Sequence, residues 1–185
     1  MQSAGHGGEY DLTSLTLLSL CAQRLKIPYL ASGGFFDGRG LATAITLGAS
    51  GINMGTRWIC TVESRIHQKI KEEIIKRDEN STMLIMRKFR NSTRVVKNEI
   101  SLEVARIEAT KANVQFEDVR DLVAGKRGRT VWEHGDPDAG IWGVGQCVGG
   151  ITDIPTCREL VVRIERDAEK ILVGGAAKVT ATARL

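Results

Sequence analysis

The chain has 185 residues, of which 42% are hydrophobic and 26% are charged, and its formal net charge is +4. This length and composition are sufficient for one hydrophobic core and exclude a wholly disordered chain. Because the basic residues are dispersed and only 5% of residues are aromatic, the sequence also argues against a nucleic-acid-binding protein.

The four cysteines indicate reduced thiols rather than disulfides or a metal site. Cys21, Cys60, Cys147 and Cys157 form no C-x-x-C pair and have no close histidine. No apolar run approaches the roughly 18 residues of a membrane span, and the first residues lack a charged-then-apolar leader. We therefore expect a cytoplasmic protein with no metal and no membrane contact.

The first third of the sequence predicts alternating helices and strands. In order, a helix, a strand, a helix and a strand are expected at about residues 13–25, 27–31, 39–47 and 51–54. Gly48 is a typical residue to follow a helix C-terminus. A strand, a helix and a second strand joined by short loops predict a right-handed unit with parallel strands.

Helices dominate the predictions for the rest of the chain. They are expected at about residues 61–77, 98–112, 116–123 and 156–172, with a long glycine-rich loop at 126–150. Thr156 and Glu159 form a capping-box pattern for the last of these helices. The segment 82–89 fits either a strand or a loop.

This order of elements predicts an α/β fold. It is typical of the C-terminal part of a TIM-type (β/α)8 barrel with a helical C-terminal extension, with the N-terminal strands missing. The expected domains are a partial barrel at 1–78, a helical and loop extension at 79–172 and a disordered tail at 173–185. Such a chain is a truncated product, a domain fragment or a protein that pairs with another copy of itself.

Two glycine turns follow the two predicted strands. Gly33-Gly34 comes after the first strand, and Gly55-Thr56 comes 21 residues later, after the second strand. A turn without a Cβ atom lets backbone N–H groups approach phosphate oxygens, and a following helix adds a favourable dipole. Because parallel strands end at the same edge of a sheet, the turns predict a phosphate site. The alternative is that both are only tight corners.

His6 is the strongest catalytic candidate. It lies in the polar loop Gly5–Gly8, and an imidazole can accept or donate a proton near neutral pH. The alternative is a surface histidine near the N-terminus. His67 and His134 are expected to be solvated surface residues.

Further polar and glycine positions have two interpretations each. Asp37 is expected to cap the helix at 39–47, and Arg39 to bond a neighbouring loop, both in structural roles. Gly145-Gln146 and Gly149-Gly150 could fold back over a cofactor or simply connect two elements.

Four segments together resemble the nitronate monooxygenase family of FMN-dependent enzymes. That family has a Gly-Gly-His loop, an Ala-Gly-Gly-Ile turn followed by Asp-Gly-Arg-Gly, and a Met-Gly-Thr-Arg strand end. The matching segments here are AGHGGE at 4–9, ASGGFFDGRGLATAITLGASGINMGTRW at 31–58, ES at 63–64 and GVGQCVGGITDIPTCRELV at 143–161.

The resemblance implies a TIM-type barrel that binds FMN without a covalent bond. Gly34, beside Gly33 in the first turn, would contact the FMN phosphate. The residues expected to contact it from the second turn are Asn53, Met54, Gly55 and Thr56.

The resemblance also implies a reaction. Gly5 would lie against the flavin beside His6, the catalytic histidine of the family. His6 would stabilise an anionic alkyl nitronate or abstract the α-proton of a neutral nitroalkane. FMN and O2 would then oxidise the nitronate to a carbonyl compound and nitrite. A homo-oligomer is one expected state of the protein.

Three other functions fit the same sequence features. The first is a related flavin-dependent enoyl-acyl-carrier-protein reductase, which would consume NAD(P)H. The second is a catalytically silent interaction module, which would not retain flavin. The third is a phosphate-sugar barrel enzyme without flavin.

Overall fold

A computed structural model describes residues 12–182 of the chain. Gly5 and His6 therefore lie outside the described residues, and their predicted roles stay predictions. The helices are α1 (Ser14–Arg24), α2 (Gly38–Thr46), α3 (Thr56–Ile59), α4 (Gln68–Ile75), α5 (Glu99–Thr110), α6 (Gly125–His134) and α7 (Cys157–Thr182). The strands are β1 (Leu30–Ser32), β2 (Gly51–Asn53), β3 (Thr82–Ile85) and β4 (Thr93–Val96).

The predicted strand–helix–strand unit is confirmed. β1 and β2 pair in parallel, with Ser32 opposite Asn53, and α2 connects them. Asp37 caps α2 as predicted, since its Oδ1 accepts a hydrogen bond of 2.9 Å from the N–H of Gly40. Gly48 follows α2 with a φ of +87°, in the left-handed region that favours glycine. The chain is thus an α/β protein.

A small apolar core lies around this unit. Ala31 of β1 and Ala44 of α2 are buried there, together with Leu18 of α1. Met54, which follows β2, is buried against Leu160 and Ile164 of α7 in a neighbouring cluster. These apolar contacts with α1, α2 and α7 thereby hold β1, β2 and the residues that follow them in place.

The last helix begins as predicted but ends later. The N–H of Thr156 donates to Glu159 and the N–H of Glu159 donates to the Thr156 hydroxyl, which confirms the capping box. The prediction that this helix ends at Leu172 is wrong, because α7 continues to Thr182. Its apolar stripe extends by steps of four residues through Ile171, Gly175 and Val179, which line a groove with residues of α1 and α2.

Of the two interpretations of segment 82–89, the strand holds for β3 (Thr82–Ile85), whereas β4 (Thr93–Val96) was not predicted. β3 and β4 form an antiparallel hairpin, with Thr82 opposite Val96 and Ile85 opposite Thr93. The hairpin packs on α5 through Ile85, Val95 and Val104. The strands have four residues each, and β4 includes Arg94, which is buried although arginine is usually exposed, so their alternation is too short to distinguish from a loop.

Two helical predictions change in position. The helix expected at 61–77 is shorter than predicted, because only α4 (Gln68–Ile75) lies in that range. His67 caps α4, with Nδ1 accepting from the N–H of Lys69 at 3.2 Å, so it is a half-buried cap rather than a solvated residue. His134 is exposed, as predicted.

The other change concerns the segments around α6. Residues 116–123 contain a 3₁₀ turn, Phe116–Asp118, in place of the predicted helix. α6 occupies the start of the predicted loop at 126–150, and Gly125 and Gly128 within it weaken the helical pattern. The loop itself is therefore shorter than expected and begins after His134.

The largest apolar core joins the two halves of the chain. Ile70 and Ile74 of α4 pack there with Trp142 and Val148 from residues 135–156, which we call the late loop. The division at residue 78 and the tail at 173–185 stay predictions about domains. Across residues 12–182, no helix has both the length and the apolar composition needed to cross a membrane.

Candidate functional site

The two glycine turns line one pocket. Its volume is about 170 Å³, and it lies where β1 and β2 end. Six of the predicted site residues are brought together here, and four further residues complete the lining. The predicted six are Gly33, Gly34, Asn53, Met54, Gly55 and Thr56, and the others are Ser32, Phe35, Gly145 and Cys147.

The ends of β1 and β2 are joined by a side-chain hydrogen bond. Nδ2 of Asn53 donates to the hydroxyl oxygen of Ser32 at 3.3 Å, directly across the parallel register. Gly33 and Gly34 follow with φ angles of +101° and +85°. Residues with a Cβ atom rarely adopt such angles, so this turn needs glycine for its backbone conformation.

Gly55 has a different reason to be glycine. Its φ of −108° is open to any residue, and a Cβ atom built on it would meet nothing within 4 Å. Neither the backbone nor the packing of the described residues therefore requires glycine at this position. The absent side chain leaves open space beside the pocket, where a phosphate group can approach the backbone.

Thr56 connects the second turn to the late loop. Its hydroxyl oxygen accepts a hydrogen bond of 2.9 Å from the N–H of Gly145, and the residue is only 8% exposed. The late loop therefore reaches the pocket, which favours the first of the two interpretations of Gly145. The Thr56 side chain also hydrogen-bonds the Cys147 side chain, so it contacts two residues of this loop.

Cys147 was not singled out as a site residue by the sequence. Burial raises the pKa of its thiol, and a hydrogen bond with the Thr56 side chain acts in the opposite direction. The thiol is thus a neutral polar group in the pocket wall near neutral pH. The one sequence signal that Cys147 lines the pocket is its position two residues after Gly145, because the thiol belongs to no motif.

An ion-pair network around the buried Arg57 lies behind the second turn. Arg57 is 2% exposed, and its Nη2 contacts Oδ1 of Asp153 at 2.6 Å. Arg163 of α7 contacts the other carboxylate oxygen, also at 2.6 Å. Hydrogen bonds from Arg163, together with the charge of Arg57, hold the pKa of Asp153 below its ordinary value.

This network fixes the turn that carries Gly55 and Thr56. Arg57 also donates to the backbone carbonyl of Asp153 at 3.1 Å, so α3, the segment before α7 and α7 itself meet at one carboxylate. Arg39 does not join it: the predicted bond to a neighbouring loop is replaced by a contact of 3.8 Å with Asp37, and its side chain is 84% exposed.

The chemistry of the pocket is that of an anion-binding site built from backbone and neutral polar groups. Its lining contains a hydroxyl pair, an amide and glycine turns, and no carboxylate. Within the described residues, no group of three or more His, Cys, Asp or Glu side chains is placed to hold a metal ion. The residues present therefore fit the phosphate end of a cofactor.

An α/β chain with a phosphate-type pocket at parallel strand ends belongs to a large class of cofactor-binding proteins. The sequence profile of the nitronate monooxygenase family matches residues 1–167. The chain belongs to this family.

Curated relatives include enzymes with different names. A 5-hydroxy-7a-methyl-1-oxo-octahydro-1H-indene-4-carboxyl-CoA dehydrogenase of Rhodococcus jostii is 30% identical over an alignment that covers 91% of this chain and 57% of that protein. A probable nitronate monooxygenase of Bacillus subtilis is 24% identical over 89% of this chain and 46% of its own length. The chain thus spans about half the length of the curated relatives it matches.

Solved structures give a similar result. FabK from Thermotoga maritima superimposes with a TM-score of 0.87 at 29% identity, over 96% of this chain and 55% of that one. A nitroalkane oxidase from Streptomyces ansochromogenes has a TM-score of 0.71 at 21% identity, over 94% and 51% of the two chains. The second likeness shows the fold alone.

Proposed function

We propose that this chain forms part of an FMN-dependent oxidoreductase that oxidises alkyl nitronates to a carbonyl compound and nitrite. The observation that carries the proposal is the pocket at the ends of β1 and β2, where both glycine turns meet in a member of the nitronate monooxygenase family. The substrates would be a nitronate or nitroalkane and O2.

In this proposal the two turns hold the FMN phosphate. The backbone at Gly33, Gly34 and Gly55 approaches the phosphate oxygens, and the hydrogen bonds of Asn53 and Thr56 keep the turns in place. When bound, the flavin supplies the electron-accepting chemistry. The task of the turns is to orient it.

His6 completes the proposed mechanism. Its imidazole would stabilise the negative charge of the nitronate, or accept the α-proton when the substrate is a neutral nitroalkane. Both tasks suit a side chain whose ordinary pKa is near neutrality.

The exposed strand edges support a TIM-type barrel as the complete architecture. β1 and β2 form a sheet of only two parallel strands, and Leu30 of β1 is 61% exposed. Parallel strands are normally covered on both faces and extended by further strands. We propose that further strands, or a second copy of the chain in a homo-oligomer, cover these edges in the cytoplasm.

Titration with FMN tests the cofactor, and nitrite release tests the reaction. We expect the purified chain to bind FMN, seen as quenching of flavin fluorescence, and to release nitrite from an alkyl nitronate in the presence of O2. Binding of FMN without nitrite release would refute the nitronate substrate. A chain that binds no FMN would refute the flavin proposal as a whole.

A second candidate function is a flavin-dependent oxidoreductase that acts on an acyl thioester, as enoyl-acyl-carrier-protein reductases do. The names of the two relatives called carboxyl-CoA dehydrogenases favour it, since their alignments cover 91% and 90% of this chain. Consumption of NAD(P)H with an enoyl thioester would identify this activity, whereas nitrite release would identify the first.

A further inference from the structure

The connection between β3 and β4 carries three cations. We call residues 86–91 the hairpin tip; Arg87, Lys88 and Arg90 lie in it and are exposed. The Nζ of Lys88 donates to the carbonyl of Lys111 at 3.1 Å. Among residues 12–182, no ion pair is formed by Arg87 or Arg90, so within this part of the chain neither guanidinium group has a carboxylate partner.

The backbone of the hairpin tip is held in an uncommon conformation. Met86 and Arg90 have φ angles of +65° and +52°, which cost a residue with a Cβ atom about 1 kcal/mol each. The buried carboxylate of Glu108 accepts hydrogen bonds from the N–H groups of Met86 at 2.9 Å and Lys88 at 3.2 Å. These hydrogen bonds hold the connection between β3 and β4 in one shape.

Aromatic packing holds the tip from a second side. The rings of Phe89 and Phe116 meet edge to face, with their centroids 6.2 Å apart. Because Phe89 lies between Lys88 and Arg90, its anchoring fixes the direction in which the flanking cations project. The tip thus presents its charges from a preorganised loop, which lowers the entropic cost of binding an anion.

The hairpin pairs with the segment that leads to the pocket. Val95 of β4 forms an antiparallel bridge with Gly143. In an antiparallel pair, a step from Val95 back toward the tip matches a step from Gly143 forward along the late loop. Two such steps lead to Gly145, which lines the pocket and is hydrogen-bonded to Thr56. Gly145 therefore lies on the tip side of the Val95–Gly143 bridge.

We propose that the hairpin tip binds the phosphate groups of a nucleotide whose reactive end reaches the pocket side of the molecule. Arg87 and Arg90 would pair with phosphate oxygens through paired N–H donors, and Lys88 would add a third charge. The inference rests on the second candidate function. That function offers two nucleotides of this chemistry, coenzyme A as the thioester carrier and NADPH as the hydride donor.

Calorimetric titration of the full chain with coenzyme A and, separately, with NADPH tests the proposal. The informative variant is Arg87→Ser with Arg90→Ser. The matched control is Arg120→Ser with Arg129→Ser, since these arginines are 61% and 75% exposed and the change in net charge is equal. Thermal unfolding of each protein checks that it is folded, and an FMN titration is run in parallel.

We expect coenzyme A, NADPH or both to bind the parent chain. The tip variant should lose about a hundredfold in affinity, about tenfold for each arginine–phosphate contact, while the control changes little. The nucleotide that binds identifies the source of the phosphates. Equal losses in the tip and control variants, or a parent that binds neither nucleotide, would overturn the proposal.

The FMN titration separates this inference from the proposed function. Nucleotide binding that depends on the tip would support the inference even if the chain bound no FMN. We expect the tip variant to keep the FMN affinity of the parent, because no residue of the tip lines the pocket at the strand ends. A tip variant that lost FMN binding would contradict the assignment of the tip to a separate ligand.

Discussion

The hydroxyl of Thr56 accepts a hydrogen bond from the N–H of Gly145, a residue 89 positions later in the chain. The bond is buried and joins the turn after β2 to the late loop, two segments that both line the pocket. The effect of removing this bond therefore shows how strongly the pocket depends on the late loop. A buried N–H that loses its acceptor costs free energy, so the bond can be tested by substitution.

Thr56→Val is expected to lower the free energy of unfolding by about 1–3 kcal/mol. The substitution keeps the shape of the side chain but leaves the Gly145 N–H without its acceptor in a buried place. Urea denaturation followed by fluorescence measures the effect. Thr56→Ser, which keeps the hydroxyl, should retain most of the stability, and equal midpoints for the Val and Ser variants would contradict the argument.

Gly55→Val is expected to weaken FMN binding at least about tenfold without destabilising the fold. The backbone conformation allows valine, and the new side chain fills open space beside the pocket where we place the phosphate. Gly125→Val is the matched control, because its Cβ also meets nothing within 4 Å and it does not line this pocket. An FMN dissociation constant that stayed unchanged would remove Gly55 from the site.

His6→Ala is expected to keep FMN binding and to lose most of the turnover, about a hundredfold or more for a general base. The comparison requires nitrite release at saturating nitronate together with an FMN titration of the same preparation. His134→Ala is a suitable control, since this histidine is exposed at the end of α6. Parent and variant oxidising nitronate at the same rate would refute the catalytic role.

Asp153 is expected to make stability depend on acid pH. Its pKa in the folded state lies below the ordinary value of 3.8, first through hydrogen bonds from Arg163 and also through Arg57. The unfolded chain therefore binds the proton more readily. The stabilisation is complete above about pH 4 and is lost as the pH falls through the lower, folded pKa.

Asp153→Asn tests this expectation. At pH 7 the variant should be less stable by about 1–3 kcal/mol, because Arg57 keeps a buried charge without its carboxylate. The difference from the parent should shrink as the pH falls below 4. Asp121→Asn serves as the control, since that carboxyl is 92% exposed. A stability gap that is constant across this pH range would contradict the argument.

Glu108→Ala is expected to destabilise the hairpin tip and the fold by about 2–3 kcal/mol. The N–H groups of Met86 and Lys88 lose their acceptor, and the left-handed residues lose their support. Glu103→Ala on the same helix is the control, because Glu103 pairs only with the exposed Arg106. Hydrogen exchange at the amides of residues 86–91 should rise in the first variant alone.

The sequence predicted the elements whose signals are local. Asp37, Gly48 and the pair Thr156 and Glu159 each act within a few residues, and each has the predicted role. The parallel pairing of β1 and β2 also followed from the short links around α2. Local capping and turn chemistry thus determined the part of the fold that carries the pocket.

The elements that were missed depend on distant partners. The β3–β4 hairpin is fixed by Glu108 and by packing on α5, and α6 lies where glycines weaken its pattern. The contribution of Cys147 to the pocket exists only because Gly145 meets Thr56 across the fold. No pattern among neighbouring residues predicts a contact between two residues so far apart in the sequence.

The pocket is lined by segments near residues 33, 55 and 145, so its walls exist only when more than a hundred residues of chain have adopted their native arrangement. Any ligand that binds there stabilises the native state relative to the unfolded state by mass action. At a ligand concentration of a hundred times the dissociation constant, the free energy of unfolding rises by about 2.7 kcal/mol. A melting-temperature screen of small phosphorylated compounds would therefore report on occupancy before any reaction has been assigned.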